Sequence, residues 1–85
     1  MASNFNRLKH RSERRFPHKI DVPVPQGGLG PQLTAMLAWC RKHAAPGHWD
    51  CHGHQARTPD DALLKFARFY FADQPIADGF RQHWL

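Results

Sequence analysis

Two cysteines and four histidines lie close together in the middle of the chain: Cys40, His43, His48, Cys51, His52 and His54. Thiolate and imidazole are the donors that zinc takes in tetrahedral sets, and a thin core gains from such a staple. The spacing argues against that set. On a helix, Cys40 belongs to the apolar face and His43 lies off its centre. On a strand, Cys51 and His54 point to opposite sides. His48, His52 and His54 do share one side of a strand, so a transition metal is easier to place on those three. The reading is two core thiols, a solvated histidine face and no cofactor, with zinc at His48, His52 and His54 as the alternative.

Enzymatic readings are narrower still. A nucleophilic Cys40–His43 pair needs an orienting group and an oxyanion site, and neither is visible. A metal-independent ribonuclease is the stronger alternative, with His52 and His54 as base and acid and Arg57 as the nearby cation. Gly27-Gly28-Leu29-Gly30-Pro31 joins a strand to a helix, where phosphates are often cradled. It matches neither the dinucleotide nor the P-loop pattern, and Pro31 removes one of the N–H donors that a phosphate would use.

Charge is the most informative quantity. Six of the twelve lysines and arginines stand between Met1 and Lys19, against Glu13 alone. The other six cations are matched by six acids, so the formal net charge of +5 resides in the first stretch. Arg7, Lys9, Arg11, Arg14 and Arg15 can each meet a phosphate or carboxylate, with Phe5 and Phe16 to stack on a base or fill a pocket. Residues 1–17 read as a basic flexible arm without periodicity. The reading is a non-enzymatic binding protein, an accessory subunit or modulator of a larger protein or ribonucleoprotein assembly. Nucleic acid would be contacted through residues 5–19.

These side chains need elements to hold them. His18–Pro25 alternates Ile20, Val22 and Val24 with polar residues and reads as a strand, blunted as an edge by Pro23. From Pro31, residues Leu33, Met36, Leu37, Cys40 and Ala44 recur at helical spacing. His48–Gln55 alternates as a strand. Leu63–Ala72 fits a strand better than a helix, because Ala67, Phe69 and Phe71 alternate. Asp73 is positioned to cap a last helix whose Ile76, Ala77, Phe80 and Trp84 share a face. The fold class is α+β: a β-α-β-β-α domain over residues 18–85, two helices on one face of a mostly antiparallel three-stranded sheet. Eighty-five residues make one domain. No export signal and no membrane-length apolar stretch is present, so the expected compartment is the cytoplasm, with both thiols reduced.

The segments AMLAWCRKH, GHWD and FYFADQPIADGFRQHW resemble short uncharacterised reading frames of proteobacteria and their phages. In these a helix with a Trp-Cys pair precedes an aromatic strand, and the chain closes on an F-x-F-x-D…A…F…W pattern. The resemblance covers about residues 20–84. It implies a shared fold and brings no activity.

Overall fold

The aromatic run in the second half of the chain becomes the middle of the sheet. The computed structural model describes residues 4–85, with side chains from Leu8 onward. Its elements are α1 (Asn4–Arg15), β1 (His18–Pro23), α2 (Pro31–His43), β2 (Trp49–Arg57), β3 (Leu63–Phe71) and α3 (Gln74–Trp84). The strand order is β1-β3-β2, and both pairings are antiparallel. The expected β-α-β-β-α order is present, with one further helix in front of it.

That helix corrects the reading of residues 1–17 as an irregular arm. Residues 4–15 are helical, while residues 1–3 and the side chains of Phe5 and Arg7 lie outside the described part. The residues of α1 that turn inward are Lys9, Ser12 and Glu13, followed by Phe16 just beyond its end. Their spacing of three and four is helical. Only Phe16 is apolar, so a search for hydrophobic periodicity passes over them.

Each strand has two distinct faces, because successive side chains alternate. Register places Ile20 and Cys51 beside Phe69, with Val22 and Gly53 beside Ala67. This face packs under α2 and α3. Met36, Cys40, Phe69, Phe71 and Phe80 are fully buried there. Phe80 is the hub, with ring centroids 4.6 Å from Phe69, 5.3 Å from Phe71 and 5.7 Å from Trp39. The opposite face carries Lys19, Asp21, Asp50, His52, His54, Phe66, Arg68 and Tyr70, and α1 contacts it.

Turn chemistry explains the connections. Gly30, at φ 57°, feeds Pro31 into the first turn of α2. The β2–β3 turn has Asp61 at φ 64°, a conformation aspartate tolerates better than most residues, and Thr58 Oγ1 accepts from Ala62 N–H at 3.1 Å. One local expectation is corrected. Asp73 occupies the N-cap position of α3 but makes no side-chain capping bond. Its Oδ2 lies 3.1 Å from His48 Nδ1 instead.

Phe80→Ala removes the ring that four other aromatics, Trp39, Phe69, Phe71 and Trp84, pack against. It is expected to cost about 3–5 kcal/mol, measured by denaturant unfolding; a loss below about 1 kcal/mol would show that α3 is not the core lid described.

Candidate functional site

The sheet face beneath α1 holds most of the chain's polar chemistry. Arg68 sits at its centre on the middle strand. Its Nε and Nη2 donate to the two carboxylate oxygens of Asp21 at 2.7 and 2.9 Å, and Nη1 donates to Glu13 at 2.8 Å. The Tyr70 hydroxyl donates to the same Glu13 oxygen at 2.7 Å, and Lys19 Nζ lies 3.5 Å from the other. Partial burial works against the Glu13 carboxylate. The hydrogen bonds from Tyr70 and Arg68, with the charges of Arg68 and Lys19, outweigh it and hold the pKa down to about 2. Asp21 is lowered chiefly by its Arg68 hydrogen bond. Burial, then the bond to Glu13, pushes the Tyr70 phenol well above its ordinary range.

A second cluster lies on β2. Ser12 Oγ donates to Asp50 Oδ2 at 2.7 Å, and His52 Nε2 lies 3.0 Å from that oxygen and 3.4 Å from Ser12 Oγ. The types are those of a hydrolase triad, but the wiring is different. A catalytic imidazole bridges serine and carboxylate through its two different nitrogens. Here both oxygens crowd one nitrogen, the serine proton is committed to the carboxylate, and Ser12 is 3% exposed. Asp50 also accepts the Cys51 N–H at 2.8 Å. The cluster is a latch that fastens α1 to the sheet.

The expected site residues separate into distinct places. Phe16 is buried at 4% exposure against Tyr70, with ring centroids 6.3 Å apart, so it anchors the fold and is not offered to a base. Lys9 turns inward and its Nζ donates to His54 Nδ1 at 3.1 Å. Arg11, Arg14 and Arg15 stand exposed on the outer side of α1. Arg15 lies over the Phe16 ring, 5.2 Å from its centroid. Arg7 belongs to the first half of α1.

The ribonuclease trio is not assembled. His52 and His54 share the face beneath α1, whereas Arg57 belongs by register to the other face and pairs with Asp61 at 3.0 Å. His48 is taken up with Asp73, and among the described residues no three His, Cys, Asp or Glu side chains converge to hold a metal. Burial pushes both thiols, Cys40 and Cys51, up to about 12, which removes them as nucleophiles at neutral pH. Sequence reasoning missed Ser12, Glu13, Asp21, Asp50, Arg68 and Tyr70. The available signal was the alternation of Arg68 and Tyr70 with Ala67, Phe69 and Phe71, which requires something polar opposite them.

Compared with models of protein families, with curated proteins and with solved structures, the chain matches none. Among the described residues no helix is long and apolar enough to cross a membrane.

Glu13→Ala leaves the buried Tyr70 hydroxyl without its acceptor and is expected to cost about 1–3 kcal/mol. The Glu13 pKa is depressed on folding, from 4.5 to about 2. Its contribution is therefore complete above pH 4.5 and is lost as pH falls from there toward 2. Denaturant unfolding across that window should show Glu13→Gln losing less stability than the wild type; parallel profiles would contradict the network.

Proposed function

We propose that this chain is a non-enzymatic binding protein of the cytoplasm, an accessory subunit or modulator of a larger assembly. It docks on an acidic surface, nucleic acid or protein, through the outer face of α1. One observation carries the reading. Lys9, Ser12 and Glu13 of α1 are turned to partners on the sheet, and Arg11, Arg14 and Arg15 are left outside. Among the described residues no carboxylate lies within ion-pair distance of these three. Asp21 and Asp50 on the adjoining sheet face, and Glu13 of α1 itself, are each satisfied by an internal partner.

A cationic ridge on a docked helix has a physical advantage over an irregular arm. Its backbone is already ordered, so less conformational entropy is lost on binding. Guanidinium groups also suit phosphate and carboxylate, which they engage through paired donors. A ribonuclease built on His52, His54 and Arg57 has less support, since His52 is held beneath Ser12 and Arg57 belongs to the other face. An origin in a bacterium or phage fits the resemblance noted above.

Replacing Arg11, Arg14 and Arg15 together by alanine is expected to weaken binding to single-stranded oligonucleotides about tenfold or more at low salt. The slope of log affinity against log salt should fall by about 2–3, and the melting temperature should stay the same. If the target is a protein, the same variant fails to retain it in a nuclease-treated pull-down. Unchanged affinity and slope, with unchanged capture, would overturn the reading.

A further inference from the structure

The two edges of the sheet are treated differently. Antiparallel neighbours exchange hydrogen bonds at every second residue, and the residues between turn their N–H and C=O outward. On β1, the Val24 N–H donates to Lys65 O at 2.9 Å, so the even positions face β3, and Pro23 and Pro25 fall at outward ones. Neither has an N–H to offer, which blunts this edge. On β2, the Thr58 N–H donates to Ala62 O and His48 O accepts from the Ala72 N–H, both at 2.9 Å. The even positions again face β3, and Trp49, Cys51, Gly53, Gln55 and Arg57 turn their main-chain groups to the edge. Among the described residues one of these groups has a partner: the Cys51 N–H donates to the Asp50 carboxylate at 2.8 Å.

The ground on either side of the β2 edge differs in character. On the face under α2 and α3, β2 borders a cavity of about 430 Å³ lined chiefly by Leu29, Leu33, Leu37, Cys51, Gly53 and Ala67. Gly53 is exposed, and a β-carbon on it would meet nothing within 4 Å, so the cavity is open at the midpoint of the strand. On the other face β2 carries Asp50, His52 and His54, with α1 above them. Lys9 reaches His54 and Ser12 reaches Asp50. Arg15 Nη2 lies 3.6 Å from the place a β-carbon on Gly47 would take, in the turn that enters β2. Ser12 turns to β2 and Glu13 to β3. A helix of about 3.6 residues per turn then puts Leu8 and Arg15 on the flank above the β2 edge, with Arg11 next around. Asp50 is the one carboxylate of β2, and Ser12, His52 and the Cys51 N–H already take it up.

We infer that the β2 edge takes up an extended segment of a partner protein whose residues alternate acidic and apolar. Its main chain pairs with Gly53, Gln55 and Arg57, its apolar side chains enter the cavity beside Leu33 and Leu37, and its carboxylates lie under Arg11 and Arg15. The alternation follows because the side chains of an added strand point to the two faces in turn. A nucleic acid has no main-chain ladder to offer this edge. A second copy of the chain suits it poorly. Two β2 strands related by a two-fold axis would bring both α1 helices to one face and set their arginine flanks against each other. The inference rests on the binding reading above and narrows the acidic partner to a protein strand.

The test is a nuclear magnetic resonance titration of the isotope-labelled full chain with capped synthetic peptides long enough to span β2, about eight residues. A peptide alternating Glu and Val should give saturable shifts at the amides of Gly53, Gln55 and Arg57 and slow their exchange with solvent. Peptides alternating Lys and Val, or Glu and Ser, should bind about tenfold or more weakly. N-methylation of every second residue should abolish binding in one frame and spare it in the other, because strand amides point to alternate sides. Gly53→Pro, which removes an outward N–H as Pro23 does on β1, should lose the peptide. Gly53→Leu, which keeps the N–H and fills the cavity, and Arg15→Ala should each weaken it severalfold in protein that melts normally. Shifts that do not saturate, equal binding of the Lys–Val peptide, equal binding in both N-methylated frames, or dimerisation of the wild type through β2 would overturn the inference. The two claims fail separately. Peptide failing while single-stranded oligonucleotide still binds the arginine ridge removes the edge site and leaves the ridge. Peptide bound while oligonucleotide is not upholds the edge site and assigns the acidic target to protein.

Discussion

The interaction on which the rest depends is the hydrogen-bonded charge network around Arg68. A guanidinium on the central strand, 18% exposed, must find acceptors for its donors or suffer a large desolvation cost. It finds two oxygens on Asp21, directly opposite on β1, and one on Glu13 of α1. The first bond set fixes the register of β1 against β3. The last fixes where α1 lies. Tyr70 and Lys19 complete the Glu13 site, so a helix with almost no apolar surface still has a defined seat. An isolated surface ion pair would contribute little. A shared, partly buried network with a bidentate member is better able to hold a segment in place.

This seating sorts the positive charge. Lys9 turns to His54, Lys19 pairs with the Glu13 carboxylate, and Arg11, Arg14 and Arg15 remain outside. The same sheet therefore serves two purposes from its two faces. Under α2 and α3, Phe69, Phe71 and Phe80 supply the apolar burial that stabilises a small domain. Under α1, a polar face seats the helix and leaves Arg11, Arg14 and Arg15 on its outer side.

Much of the fold was legible in the sequence. Ile20, Val22 and Val24 announce β1, Pro31 with the Leu33–Cys40 spacing announces α2, and the alternation of Ala67, Phe69 and Phe71 decides the ambiguous run as a strand. What was not legible is α1. Its inward residues are Lys9, Ser12 and Glu13, and polar anchors leave no hydrophobic period to detect. For the same reason Phe16 read as a free aromatic when it is a buried one, and Asp73 read as a cap when its carboxylate is drawn to His48. Charge segregation marked the first stretch as basic but not how its cations divide. The division between ridge and latch depends on which arginines lose their freedom to partners distant in sequence, and no local pattern encodes that.

The central claim, that the Arg68 network seats α1 on the sheet, is tested most directly by native-state hydrogen exchange. In the wild type, the amides of Glu13–Phe16 should exchange slowly, including the Phe16 N–H that donates to Ser12. In Arg68→Gln the same amides should exchange freely while Phe69–Phe71 stay protected. Free exchange of the α1 amides in the wild type, beside a protected sheet, would contradict the account.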